Sequence, residues 1–205
     1  MSPVALLLAL RLTIPADSAL DALYASGVPW DRFLATAEAR KAAWERNWEN
    51  ARVPDDVLIA ARALSGRWRL LIIAVDGCSD SVNTVPYLAR LSVLAPQIEL
   101  RIISPDAGRA LQEAHRTPDG RAATPTVILL DDAGRDIGAW VERPTLLQQA
   151  GMAARAAGAF EQYLSGKQAW YDRDAGASTV REVVELLTAA AAAGARPLPS
   201  PSEHR

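Results

Sequence analysis

The sequence has only one cysteine, Cys78, and only two histidines, His115 and His204, among its 205 residues. A single cysteine excludes an internal disulfide and any site that takes two thiolates from one chain. A zinc site would have to depend on carboxylates, and we find no ligand spacing for one. We therefore expect neither a metal nor another cofactor, and the scarcity of cysteine favours a reducing, cytoplasmic location.

The chain also lacks a large excess of either positive or negative charge. It has 22 Lys and Arg residues and 24 Asp and Glu residues, which gives a net charge of −2. Without basic residues in excess to neutralise phosphates, the chain is not expected to bind nucleic acid. The apolar stretch at residues 4–10 is too short to span a bilayer. No positive charge precedes it, which argues against a signal peptide. We expect no membrane partner.

Hydrophobic residues make up 50% of the chain. In its first third they recur at helical spacing, which predicts helices there. A short helix follows the cap residue Asp17, a long helix is predicted over residues 31–50, and another begins at Pro54. Trp44 and Trp48 are four positions apart and so share one helix face. We interpret them as core residues, because a surface helix must bury one stripe.

The middle of the chain alternates strands and helices. Strands are predicted at residues 70–75, 98–103, 126–130 and 137–140. Helices over residues 79–94 and 108–115 separate the first three strands, and a turn at residues 131–134 joins the last two. This order of a β-α-β unit, a helix and a hairpin indicates an α/β fold.

The end of the chain is predicted to be helical over residues 145–194, with one helix opened by Pro144 and a second capped by Ser178. Three prolines in the last residues indicate a disordered tail. We predict four parts: a helical extension at 1–66, an α/β domain at 67–165, a second helical extension at 166–195 and the tail at 196–205.

Cys78 is the candidate reactive residue, since it lies between the most apolar strand and a predicted helix. Free backbone amides at a helix N-terminus stabilise a thiolate over a thiol. Ser81 could donate a hydrogen bond to the sulfur, whereas the carboxylate of Asp80 would disfavour a nearby thiolate. Asp80 could equally serve only as a helix cap. Cys78 could also be an inert, buried thiol, as lone cysteines often are.

Two further features resemble thioredoxins. Pro86 follows Cys78 by eight positions, the spacing of the helix-kinking proline in that family, and Thr124-Pro125-Thr126 resembles the cis-proline loop that faces the thioredoxin cysteine. The resemblance implies a thioredoxin-like α/β fold, with a central four-stranded mixed sheet flanked by helices. Here extra helices would be added at the N- and C-terminal ends.

A narrower resemblance is to a bacterial thioredoxin-like group, mostly uncharacterised, that has a single-cysteine Trp-Cys-Gly-Asp motif. Cys78 and Asp80 match this motif, and residues 140–144 resemble a Trp-Gly-Pro-Arg-Pro stretch of the same group. The resemblance spans about residues 20–165. Gly77 and Ser79 depart from it, since they stand in place of the motif's tryptophan and glycine.

The resemblance also implies what the chain cannot do. Ser81 stands where thioredoxins have their second, resolving cysteine, and Ile72 stands where they have a buried acid. A monothiol protein can still form a mixed disulfide with a protein or a low-molecular-weight thiol, but an external thiol must resolve it. Alternatively, Cys78 could be oxidised to sulfenic acid and condense with an outside thiol. We predict Cys78 as the nucleophile, with Ser81 and Asp80 tuning its sulfur.

The predicted substrate-binding residues are Thr124, Pro125, Trp140 and Arg143. We expect Arg143 to be a surface arginine, although it could instead bind an anion or pair with Asp80. The alternative function is a non-catalytic binding module that uses the same groove, because a fold does not fix a function. Iron–sulfur ligation with glutathione across a dimer is disfavoured, because the chain lacks a Cys-Gly-Phe-Ser motif. The terminal helices could cover the sheet, form a homodimer or bind a partner.

Overall fold

The computed structural model describes residues 16–194, so the predictions for residues 4–10 and for the tail at 196–205 lie outside the described residues. Within that range the chain forms ten helices and four strands. Those before the third strand are α1 Ala16–Ser26, α2 Trp30–Thr36, α3 Lys41–Asn50, α4 Asp55–Ala63, β1 Trp68–Ile73, α5 Ser79–Val82, α6 Val85–Leu94, β2 Ile98–Ile103 and α7 Pro105–Ala114. Those that follow are β3 Thr126–Leu130, β4 Asp136–Val141, α8 Thr145–Ala156, α9 Phe160–Asp174 and α10 Ala177–Gly194.

The four strands form one mixed sheet in the order β2-β1-β3-β4. β1 is parallel to β2 and antiparallel to β3, and β3 is antiparallel to β4. The apolar run of β1 is buried on both faces of the sheet, as a central strand requires. The prediction of a four-stranded mixed sheet flanked by helices, with extra helices at both ends, is confirmed.

Alternation along the strands divides the core into two layers. Leu70 and Ile72 face the larger layer, to which α3, α4, α6 and α10 contribute, whereas Leu71 and Ile73 face a smaller layer with α1 and α7. Trp44 of α3 is fully buried in the larger layer, as its spacing predicts, and Trp48 is partly buried against it. Helices therefore cover both faces of the sheet.

The prediction of one helix over residues 31–50 is wrong, because the chain bends between α2 and α3. The carboxylate of Asp76, which follows β1, accepts hydrogen bonds from the backbone N–H groups of Glu38 and Ala39, both at 2.9 Å. These two bonds lower the pKa of Asp76. Arg40 then adopts a left-handed conformation with φ of 56° before α3 begins. A distant side chain thus takes amides that a continuous helix would use.

The predicted helix over residues 79–94 is also interrupted, and it forms α5 and α6. Pro86 has no N–H group, so the carbonyl of Val82, four positions earlier, cannot receive its usual helical hydrogen bond. Asn47 of α3 supplies the missing donor, with 2.7 Å between its Nδ2 atom and the Val82 oxygen. The break in the helix is therefore stabilised from the N-terminal helices.

The C-terminal region contains three helices where two were predicted. The additional helix is α9, which lies between α8 and α10. It ends where Ala175 and Gly176 have positive φ angles of 47° and 76°. A Cβ atom on Gly176 would lie 2.0 Å from the ring of Tyr87, so only glycine fits this close approach. α9 packs beside α8.

Candidate functional site

Cys78 lies in the loop after β1 and caps the N-terminus of the short helix α5. Its Sγ atom accepts a hydrogen bond from the backbone N–H of Ser81 at 3.4 Å. The thiol donates to the carbonyl oxygen of Thr124 at 3.2 Å. The Thr124–Pro125 peptide bond is cis. Cys78 is partly exposed, and the structure brings it together with Ser81 and Thr124.

Residues of α3 and of the segment before it donate hydrogen bonds to the backbone of the loop that carries Cys78. The indole of Trp44 donates to the Asp76 carbonyl at 3.0 Å, and Arg40 Nε donates to the Gly77 carbonyl at 2.8 Å. Gly77 itself is exposed, and a Cβ atom there would meet only Ala39, at 3.8 Å. The loop is therefore anchored through its backbone, and the packing does not require glycine at position 77.

Asp80, two positions after the cysteine, is buried with 6% exposure. Both of its carboxylate oxygens lie 3.0 Å from Lys167 Nζ, and one accepts the hydroxyl of Tyr171 at 2.6 Å. Arg143 Nη2 donates to the second oxygen at 3.1 Å. Lys167 also donates to the Ser79 hydroxyl at 3.0 Å. The carboxylate is thus enclosed by two cations and a phenol, which is far more than a helix cap needs.

The expectation that Arg143 is a surface residue is wrong, because its side chain is buried between Asp80, Glu142 and Tyr163. It donates to the two carboxylates through Nη2 and to the Tyr163 hydroxyl, at 2.7 Å, through Nη1. Burial by itself would lower the pKa of Arg143, but Asp80 and Glu142 more than offset this effect and the pKa is raised. The pairing of Arg143 with Asp80, the alternative considered from the sequence, is what the structure contains.

Glu142 extends this arrangement toward the surface. It is buried and has a φ of 69°. Its carboxylate accepts hydrogen bonds from Nη1 and Nη2 of Arg121, at 3.1 and 2.8 Å. Arg121 also donates to Asp119, and this contact lowers the pKa of Asp119 to about 2. Three carboxylates and three cations therefore form one connected ion cluster, whose members are Asp80, Asp119, Arg121, Glu142, Arg143 and Lys167.

The sequence reasoning missed the residues of α9 that complete this cluster. Tyr163, Lys167 and Tyr171 follow one another at intervals of four, which places them on one face of a helix. A polar stripe of this kind in the C-terminal region could have been noticed, but nothing local indicates that it faces Asp80. Burial raises the pKa of Tyr163, and burial followed by the charge of Asp80 raises that of Tyr171, so both phenols stay neutral donors.

Trp140, predicted as a substrate contact, is buried in the larger core layer. Its indole nitrogen donates to Glu182 of α10 at 2.7 Å, and Glu182 also accepts the backbone N–H of Thr145. The ring thus joins β4 to α10. A contact between Trp140 and a substrate stays a prediction.

Over residues 16–194, no helix has the length and apolar character needed to cross a membrane. The same residues contain no group of His, Cys, Asp and Glu side chains arranged to hold a metal ion.

This sheet topology, with a cysteine at the end of β1 facing the loop before β3, is that of a thioredoxin-like fold. Residues 27–157, more than half of the chain, match a family model described as thioredoxin, and the chain belongs to this family. The matched segment includes Cys78, Pro125 and Arg143, but it ends before α9.

Two solved structures are similar to the chain. One is a protein of unknown function from Pseudomonas aeruginosa, with 26% identity and a TM-score of 0.63, covering 82% of this chain and 96% of that one. The other is an HIV epitope-scaffold, with 22% identity and a TM-score of 0.63, covering 82% of this chain and 97% of the scaffold, and this likeness shows the fold alone. No curated protein matches the chain.

Proposed function

We propose that this thioredoxin family member is a monothiol protein that exchanges disulfides through Cys78 and depends on an external thiol to complete the exchange. One observation carries the proposal: the partly exposed sulfur of Cys78 receives the Ser81 N–H while contacting the carbonyl of Thr124 beside Pro125. The N–H group favours a thiolate. A sulfur in contact with both loops lies where an extended disulfide-containing partner could approach it.

The exchange has two steps. The Cys78 thiolate attacks one sulfur of a protein or low-molecular-weight disulfide, forming a mixed disulfide and expelling the other sulfur as a thiolate. Ser81 has no thiol with which to attack this mixed disulfide. An external thiolate, such as that of glutathione, then attacks the partner's sulfur and releases Cys78 as a thiolate. The external thiol and the partner's sulfur are then joined in a new disulfide, the first leaving group remains as a free thiol, and Cys78 returns to its starting state.

The first test is the pH dependence of alkylation of the native protein by iodoacetamide. Because Cys78 is the only cysteine, each adduct found by mass spectrometry reports on it. We expect a pH midpoint below that of free cysteine, which is about 8.5. Labelling only after denaturation, or a midpoint well above that value, would contradict the redox proposal. The alternative of a non-catalytic binding module would then replace it.

The second test restores the missing thiol by the substitution Ser81→Cys. Wild-type protein treated with glutathione disulfide should remain as a stable mixed disulfide of protein and glutathione. In the variant, the introduced thiol should attack the Cys78 sulfur, expel glutathione and leave an internal disulfide, as in a dithiol enzyme. Cys78→Ala in the Ser81→Cys background is the matched control. Equal accumulation of the glutathione adduct in wild type and variant would contradict the proposed roles of the two positions.

A further inference from the structure

We propose that α9 completes the thiol site, because Lys167 supplies the positive charge that offsets buried Asp80 and allows Cys78 to ionise. This inference rests on the proposed function, since it concerns the reactivity of the same sulfur. It assigns a role to a helix that follows the segment matched to the thioredoxin family.

The need for a counter-charge follows from the position of Asp80. Its carboxylate is buried only two residues after Cys78 and in the same turn of α5 as Ser81, whose amide bonds the sulfur. In a poorly solvated environment a carboxylate repels a second negative charge more strongly than it does in water. An uncompensated Asp80 would therefore hold Cys78 in the thiol form, in which the thiol donates to Thr124.

Lys167 is the cation that serves Asp80 most directly. Arg143 divides its charge between Asp80 and Glu142, whereas Lys167 Nζ lies 3.0 Å from both oxygens of Asp80 and has Ser79 as its other partner. Tyr171 adds a neutral hydrogen bond to Asp80. The Lys167 side chain is only 12% exposed, so water screens its charge little.

Other charged groups border the loop from the remaining elements. Asp76 is bonded by the amides of Glu38 and Ala39, and Arg40 donates to the Gly77 carbonyl from the segment before α3. Tyr163 approaches only through Arg143. These contacts do not involve Asp80 directly, so they remain as a constant background when Lys167 is replaced.

The test compares the alkylation profiles of wild type, Lys167→Met, Asp80→Asn and the double variant. Removing the cation should raise the pH midpoint of Cys78 alkylation by about one unit, which is about tenfold less thiolate at neutral pH. Asp80→Asn should lower the midpoint, and the double variant should return it close to the wild-type value. Lys167→Arg, which keeps the charge, should retain the wild-type profile.

Arg181→Met is the matched control, because it removes a cation that pairs with Asp56 in an exposed contact between α10 and α4. Circular dichroism establishes that each variant is folded, and if Lys167→Met does not fold, Asp80→Asn alone tests the sign. Unchanged midpoints in folded variants, or a shift of the same sign for both single substitutions, would overturn the inference while leaving the proposed exchange chemistry intact. Failure of the native wild-type protein to react at all would instead overturn the proposed function.

Discussion

Replacing Asp80 by alanine should reduce the free energy of unfolding by about 3–5 kcal/mol. The substitution removes the one carboxylate that Lys167 and Arg143 share, while both cations stay in the interior. Their side chains are 12% and 8% exposed, so neither can be resolvated without moving. Tyr171 loses its hydrogen-bond acceptor at the same time.

The magnitude follows from the burial of the partners and not from the number of contacts. Removing one member of a buried ion pair leaves an uncompensated charge in a medium of low polarity, which costs several times more than breaking an exposed pair. Asp106→Ala is the matched comparison, since Asp106 and Arg109 form a pair whose side chains are 90% and 73% exposed. That substitution should cost less than about 1 kcal/mol.

Urea unfolding followed by tryptophan fluorescence and by circular dichroism measures both values. Because a domain of this kind is stable by only about 5–15 kcal/mol, the loss at Asp80 should move the unfolding midpoint far down the urea axis. A change at Asp80 no larger than that at Asp106 would refute the reasoning. It would mean that water reaches the ion cluster and screens its charges.

Three other measurements test separate parts of the structure. Asn47→Ala should cost about 1–3 kcal/mol in urea unfolding, because the Val82 carbonyl loses its donor, and a cost below about 0.5 kcal/mol would contradict this account. Asp119 has a pKa of about 2, below its ordinary 3.8, so its contribution to stability is complete above pH 3.8 and is lost as the pH falls toward 2. The stability difference between wild type and Asp119→Asn should therefore shrink over that window, and a constant difference would contradict the assignment. The tyrosines are Tyr24, Tyr87, Tyr163 and Tyr171, and burial raises the pKa of each, that of Tyr24 to about 12. Ultraviolet titration should show the phenols of the native protein ionising at higher pH than those of the denatured chain, and equal titration curves would contradict the burial.

The elements whose pattern is local could be predicted from the sequence. The apolar run of β1 and the alternation of strands and helices specify the sheet, since burial on both faces requires such residues. The break at Ala37 could not be predicted, because the group that stabilises it is far away in sequence. The break at Asn83 is marked locally by Pro86, and only the side chain that stabilises it is distant. The Asp76 carboxylate accepts the backbone N–H of Glu38 beside the first break, and the Asn47 amide donates to the Val82 carbonyl beside the second.

The candidate site divides in the same way. The position of Cys78 between a strand and a helix could be recognised from the pattern of the sequence, and the loop at Pro125 from its resemblance to thioredoxins. The environment of Asp80 could not be predicted, since the sequence is equally compatible with a helix cap and with a chemical role. Lys167, 87 positions later, decides its surroundings, and no local pattern around Asp80 indicates that contact.

The bond from Asp76 to the bend before α3 has a consequence for the order in which the protein forms. The amides of Glu38 and Ala39 precede their acceptor by 38 and 37 positions, so they leave the ribosome well before Asp76 does. Until Asp76 is synthesised, residues 31–50 lack the acceptor that takes these amides away from a helix. We therefore expect the continuous helix of the local pattern to be accessible to the nascent chain, whereas the bend forms with the completed fold.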